Sequence, residues 1–289
     1  MLNKLVIFGV GLIGGSVALA LKKAGCTAQI VGVGRSSESL QTAIDLGVID
    51  LASSNIKDAI TEANLILIAT PVAQTPAILN AIKPHLAANT VITDAGSTKN
   101  DVLSCAKEIL GEQFSQFVGG HPIAGAEKSG VTAATADLYR NKNVVLTPAP
   151  ATNPLAIRRV RELWQACGAH VSEMPAETHD GIFAAVSHLP HLLAFALVDE
   201  VASRPNAEQL FGFAASGFRD FTRIAGSHPE MWRDISLANK AALLSEITAY
   251  QKELSHLKQM LEQEDGDGLH ALFERASVAR NGWVKTKKL

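Results

Sequence analysis

An α/β architecture, with a doubly wound parallel sheet followed by an all-helical domain, is what the sequence predicts. Three observations carry it. Short apolar runs alternate with amphipathic segments through the first part of the chain. The first run opens directly into Gly9-Val10-Gly11-Leu12-Ile13-Gly14, and from Glu177 onward strand-like alternation gives way to helical spacing. This is the pattern of a Rossmann-type fold. The uncharged runs at 5–8, 30–33, 65–69, 91–93 and 144–146 read as buried parallel strands. Helices fall between them. Gly25 and Gly47 are placed to end the first two, and Ser97 or Thr98 to cap one running towards Leu110. A Pro- and Ala-rich stretch at 149–154 leads into a helix reaching Cys167 and a last strand at 170–172. The expected boundary therefore divides a dinucleotide-binding domain, 1–174, from a helical domain, 175–289.

Within the helical part, Ile182, Phe183, Val186, Leu189 and Leu193 recur at helical spacing. Ile247, Tyr250, Leu254, Leu257 and Leu261 form a later stripe that must pack against something. An intrachain core and a dimer seam both satisfy it. Asp265-Gly266-Asp267-Gly268 lacks the remaining ligands of a calcium loop and reads as a turn.

Composition narrows the function. At ~150 residues per domain, 289 residues make about two domains, and 47% hydrophobic residues with a mean hydropathy of +0.14 exclude a disordered chain. Lys+Arg of 26 against Asp+Glu of 28 gives a net charge of −2, so no global basic field exists for nucleic acid or an anionic membrane. Cys26, Cys105 and Cys167 are scattered, which argues against a disulfide framework and a zinc site and suits a reducing, cytoplasmic setting. Residues 5–21 are uncharged and follow Lys4, and Ala18-Leu19-Ala20 imitates a cleavage site, but Gly9, Gly11, Gly14 and Gly15 interrupt the run. A secretory signal is therefore not expected, nor a regulatory domain after Leu289.

The glycines have another use. G-x-G-x-x-G after a strand and at a helix start is a dinucleotide fingerprint: Gly9 permits the tight turn, Gly11 the approach of a pyrophosphate, and Gly14 close helix–strand packing. Leu12 and Ile13 supply first-turn N–H groups, and Thr70, just past the run at 65–69, is counted with this site. An acidic residue at the end of the second strand would grip the ribose of NAD, but that place holds Gly34, followed by Arg35, Ser36 and Ser37. A guanidinium flanked by hydroxyls suits a 2′-phosphate, so NADP is expected ahead of NAD. The plainer reading has Arg35 stacked on adenine and a serine capping the next helix.

Two stretches at strand ends carry dense polar groups: Asp94-Ala95-Gly96-Ser97-Thr98-Lys99, and residues 119–130 around His121. A histidine between a glycine pair and Pro122 reads as lying on a fixed, open loop, where imidazole can take a proton at neutral pH. His188 and His191 are three apart and share a helical face, and Pro190 between them implies a kink. No third ligand stands nearby, so no metal is expected. Ser227-His228-Pro229-Glu230 has the form of a capping box.

Taken together, the stretches 9–16, Asp94-Ala95-Gly96-Ser97 and His121-Pro122-Ile123-Ala124-Gly125 resemble prephenate dehydrogenases, including arogenate-using relatives. The resemblance continues through Ser187-His188-Leu189-Pro190-His191, Asp220-Phe221-Thr222-Arg223-Ile224-Ala225 and Met231-Trp232-Arg233-Asp234. It implies an enzyme of tyrosine biosynthesis that oxidises and decarboxylates prephenate or arogenate, working as a homodimer paired through its helical domain. It further implies His121 as base, Ser97 as the group orienting the substrate hydroxyl, and Arg223 as the cation for the retained carboxylate. His188, His191, Trp232, Ser227 and Glu127 join the substrate site on the same ground. For His188 and His191 a satisfied core pair is the competing reading, for Ser227 a helix cap, and for Glu127 a solvated loop charge. Another dehydrogenase with this domain plan, such as a β-hydroxyacid dehydrogenase, would use a helical lysine; a non-catalytic dinucleotide sensor would lack the proton acceptor.

Overall fold

The structure, a computed structural model, describes residues 2–26, 28–126 and 128–286. From the N-terminus run β1 (Lys4–Phe8), α1 (Leu12–Lys23), β2 (Gln29–Val33), α2 (Ser37–Asp45), β3 (Leu51–Ala52), α3 (Ile56–Ile60), β4 (Leu65–Ile68), α4 (Thr75–Ile82), β5 (Val91–Asp94) and α5 (Asn100–Leu110). Then follow β6 (Phe117–Pro122), β7 (Asn143–Thr147), α6 (Pro154–Ala166) and β8 (His170–Glu173). The strands form one sheet in the order β3-β2-β1-β4-β5-β6-β7-β8. Strand order reverses between β1 and β4, which run parallel, so the ligand crevice is expected at their C-terminal ends.

The period-2 alternation of the strands builds a core on each face. Leu5, Ile7, Leu65 and Leu67 pack with Val17 and Leu21 of α1 and Val160 and Trp164 of α6 on one side. Val6, Phe8, Ile66 and Ile68 pack with Leu79 and Ile82 of α4 and Val102 and Ala106 of α5 on the other.

Two sequence expectations are corrected here. The run at 144–146 lies in β7, which pairs with β6 antiparallel rather than parallel, although β8 pairs with β7 in parallel. The cause is the connection: between β6 and β7 the chain forms a 3₁₀ turn at Val131–Ala133 in place of a crossover helix, and without a crossover the strand returns in the opposite sense. The second correction is β6 itself, read as an open loop because two glycines, a histidine and a proline are poor strand formers. All six of its residues are buried. A Cβ on Gly119 would press on the Thr147 hydroxyl, and one on Gly120 would lie 2.8 Å from the Asp94 carbonyl oxygen, so the glycines serve close packing.

Beyond the sheet come α7 (Ala176–Phe183), a π turn (Ala184–His188), α8 (Leu189–Ala202), α9 (Ala207–Gly212), α10 (Ser216–Thr222) and α11 (Pro229–Ala238). The wide π turn absorbs the missing N–H and ring of Pro190, which is the expected kink. Ala176–Ala202 is apolar and long enough to cross a membrane, with mean hydropathy 1.8, but it carries buried His179, Asp180 and His188, each hydrogen-bonded within the protein. Of its apolar window 28% is buried within this chain. The sheet ends at Glu173, close to the expected boundary, yet the first compact unit extends to Lys240 and includes α7 to α11. Residues 241–289 form a second unit, made of α12 (Lys240–Glu262) beyond its first residue and α13 (Gly266–Thr286).

Candidate active site

The turn from β1 into α1 is built by its glycines. Gly9 has φ +90°, and a Cβ there would lie 2.7 Å from the Ala69 carbonyl oxygen and 2.9 Å from the Thr70 methyl. A Cβ on Gly14 would crowd the Gly9 carbonyl and the Ile7 side chain, whereas one on Gly11 meets nothing. Gly11 thus faces open space. It caps α1 without a side-chain hydrogen bond, so the first-turn N–H groups of Leu12, Ile13 and Gly14 face a site suited to an anion. Thr70 Oγ1 is buried and has no protein partner among the described residues. A pyrophosphate fits this cradle.

At the end of β2, Gly9 N–H donates to the Val33 carbonyl at 2.9 Å, which brings the loop beside Gly34 and Arg35. Gly34 and Arg35 are exposed, and Arg35 has no hydrogen bond or ion pair among the described residues. Ser36 accepts from Ser39 N–H at 3.1 Å and so caps α2, whose first residue is Ser37.

The neighbouring strand ends are fastened by one buried ion pair, Lys99 to Asp94, with both side chains at most 2% exposed. Asp94 Oδ2 also accepts from Gly96 N–H at 2.8 Å and Oδ1 from Gly120 N–H at 3.0 Å, while Lys99 Nζ donates to the Gly120 carbonyl at 2.8 Å. The half-buried Ser97 sits inside this clamp. β6 pairs with β5 only through Phe117 and Val118, so Gly120 and His121 project past the end of β5. The clamp therefore sets His121 relative to the Ser97 turn.

His121 is 9% exposed and packs edge-on against Phe183, 4.8 Å between ring centroids. Burial, then the neighbouring His179 and Lys99, push its pKa well below the usual imidazole value, so it is a neutral base at pH 7. Its Nδ1 lies 2.8 Å from His179 Nε2, and His179 Nδ1 lies 2.7 Å from Asp180 Oδ1. Asp180 in turn accepts from the backbone N–H groups of Lys99 at 2.9 Å and Asn100 at 2.8 Å, so a carboxylate from α7 caps the N-terminus of α5. Burial opposes ionisation there, but the hydrogen bonds from His179, Asn100 and Lys99 prevail and lower the Asp180 pKa.

His188 and His191 do share a face, and Trp232 lies against both. His191 stacks on the indole at 3.7 Å and His188 meets it edge-on at 6.0 Å. Asn239 Nδ2 donates to the Asp180 carbonyl at 2.8 Å and lies 3.1 Å from His188 Nδ1. His188 Nε2 is left as a buried N–H without a protein partner among the described residues, like Trp232 Nε1. Burial pushes the His188 pKa down to about 4, so it is a neutral donor. His191 Nδ1 donates to the Ser187 carbonyl at 2.9 Å, which leaves its Nε2 an acceptor. Arg223, exposed after α10, is near enough for its charge to help hold the His191 pKa low, after burial. The capping box does not form: His228 takes the cap position of α11 without a side-chain bond, and Ser227 Oγ donates to Ile224 O at 2.7 Å instead. Glu127 lies outside the described residues.

His179, Asp180 and Asn239 were missed from sequence. The available signal was a His-Asp pair at helical spacing with the apolar Phe183 and Ala184.

A dinucleotide cradle and a buried neutral imidazole at one edge of a doubly wound sheet define a nicotinamide-dependent dehydrogenase. Comparison with known proteins narrows the class. Residues 17–173 match the family profile described as the nucleotide-binding domain of prephenate dehydrogenase, and residues 175–275 the one described as its dimerization domain. The chain belongs to the prephenate dehydrogenase family. It is 40% identical over 284 residues to a prephenate dehydrogenase of Bacillus subtilis, covering 98% of this chain and 76% of that one. To a cyclohexadienyl dehydrogenase of Zymomonas mobilis it is 34% identical, covering 96% and 94%. A crystal structure of prephenate dehydrogenase from Aquifex aeolicus with hydroxyphenyl propionate and NAD+ superposes with a TM-score of 0.91 at 38% identity, covering 97% and 98%.

Replacing Lys99 by Met strands the Asp94 carboxylate in the interior and is expected to cost about 3–5 kcal/mol of stability. Urea unfolding of the two proteins measures it; a loss under about 1 kcal/mol contradicts the clamp.

Proposed function

We propose that this chain oxidises and decarboxylates prephenate, arogenate or both, using a nicotinamide dinucleotide. The observation that carries the reading is His121, buried and neutral, with Nδ1 engaged from behind and held by the same clamp as Ser97. A cyclohexadienol with a ring carboxylate needs a base on its hydroxyl, a group orienting that hydroxyl, and a cation for the carboxylate that stays. His121 is the base, Ser97 orients the hydroxyl, and Arg223 holds the retained carboxylate. The unpartnered His188 N–H suits an acceptor oxygen of the substrate, and His191, Trp232 and Ser227 are assigned to the same site, as is Glu127, which lies outside the described residues. The bound nicotinamide supplies the hydride acceptor. Proton removal by His121 turns the carbinol towards a carbonyl, carbon dioxide leaves, and the ring becomes aromatic; the residues chiefly position the groups and start the proton transfer.

His188 as a neutral donor, with its Nε2–H unpartnered among the described residues, favours a keto acid side chain, and so prephenate, over an ammonium group. For the cofactor we prefer NADP, supported by the unpartnered Arg35 and the absence of an acid at Gly34. The assembly is a homodimer, supported by Leu254, Leu261, Phe273 and Val278, all exposed on α12 and α13, and the cell compartment is the cytoplasm, which suits three free cysteines.

His121→Asn is expected to lower turnover by about 10²–10⁴-fold with cofactor binding unchanged, followed by absorbance of the reduced nicotinamide. In the parent protein kcat/KM is flat through neutral pH and falls only well below pH 6.5, because protonation of a base whose pKa is depressed removes activity at acid pH. Wild-type turnover in His121→Asn removes the assignment. Arg35→Ala is expected to weaken NADP by about 1–3 kcal/mol more than NAD, and equal losses would withdraw the NADP preference. Sedimentation at micromolar concentration should show a dimer of the 30.6 kDa chain, and a monomer contradicts the assembly.

A further inference from the structure

We propose that His179, backed by Asp180, is a positioning residue that fixes the tautomer of His121 and receives the proton's charge during turnover. The inference rests on His121 being the base. The Asp180 carboxylate is ionised and accepts from two backbone N–H groups at the start of α5, so it accepts from His179 as well, and the proton of neutral His179 resides on Nδ1. His179 Nε2 is then a lone pair, 2.8 Å from His121 Nδ1, and His121 must carry its proton on Nδ1 to donate to it. Nε2 of His121 is left bare, and it is the nitrogen that takes the substrate proton. Among the described residues His179 is the hydrogen-bond partner of the His121 ring that selects this tautomer; with Nε2 protonated, the base would present a donor to the hydroxyl it has to deprotonate.

The step balances. The substrate O–H bond breaks and an Nε2–H bond forms on His121, while its Nδ1–H proton moves to His179 Nε2. The hydroxyl electron pair stays on oxygen and closes the carbonyl as the hydride departs. His121 ends neutral, and the positive charge rests on His179 against Asp180; as carbon dioxide leaves, the pair of its C–C bond aromatises the ring and the former carbonyl pair returns to oxygen, which takes the proton back along the same path to become the phenol. The other charged groups facing the pair are Lys99 and Asp94, which neutralise each other, and His188, which is neutral. Asp180 is therefore the anion that stabilises the cation. His179 is fully buried and tilted on Phe183 at 4.5 Å, so solvent does not substitute for it.

The test compares His179→Leu, His179→Gln and Asp180→Asn with the parent protein in kcat, KM and the pH dependence of kcat/KM. His179→Leu removes the acceptor and is expected to lower kcat at least about 10²-fold with substrate KM within about threefold. His179→Gln, which retains an acceptor oxygen, recovers part of that loss. In Asp180→Asn the acid limb moves to lower pH, because the lost anion makes the imidazolium harder to form. A merely structural role gives the opposite sign: loosening admits water and moves the limb up towards the ordinary histidine value. An upward shift overturns the proposal, as does turnover in His179→Leu within about threefold of the parent. His121→Asn keeps the two readings separable: if it retains turnover, the base assignment fails, and if it loses turnover while His179→Leu does not, only the relay fails.

Discussion

The ion pair between Lys99 and Asp94 is the constraint on which the site depends. Both charges are taken out of water at a sheet edge, a placement that destabilises unless every lone pair and proton is used, and nearly all of them are. Asp94 receives the backbone of its own turn and of the adjoining strand, and Lys99 returns a bond to that strand at Gly120. The result is a cross-linked corner in which the Ser97 turn and His121 cannot move independently. The reaction proposed above needs a hydroxyl and a base held at a fixed separation, and this corner would hold Ser97 and His121 so without spending either side chain on the ion pair.

The same corner joins the sheet to the helices beyond it. Asp180 crosses from α7 to cap the start of α5, and Asn239 after α11 ties the Asp180 carbonyl to His188. The imidazoles of His121 and His188 are therefore linked through Asp180 by hydrogen bonds. This explains why the first compact unit runs past the end of the sheet to Lys240. α7, the π turn and the end of α11 are bonded to the sheet edge at residues 94–121.

How far the sequence could be read depends on whether the signal was local. The strands at 5–8, 30–33, 65–69 and 91–93 were legible because burial on both faces demands continuous apolar runs, and the glycine loop because each glycine answers a separate steric need at one turn. β6 was not legible, since its residues suit a strand only once Thr147, Asp94 and Thr93 are packed against them. The direction of β7 was hidden for a related reason: it follows from the missing crossover helix between residues 123 and 142. His121 and Ser97 stood out by their setting, while His179, Asp180 and Asn239 acquire roles through contacts 51 or more residues away in sequence. The capping box at Ser227 shows the converse, a local motif overruled when the hydroxyl bonds back to Ile224.

The account's central claim is that His121 waits as a neutral imidazole with its proton on Nδ1 and a bare Nε2. Nitrogen-15 NMR of the histidine side chains, with His121 assigned by its absence in His121→Asn, measures this directly. A protonated-type shift at Nδ1 and an unprotonated-type shift at Nε2, both persisting from neutral pH to well below pH 6.5, are the predicted result. A proton on Nε2, or an imidazolium at pH 7, would contradict it.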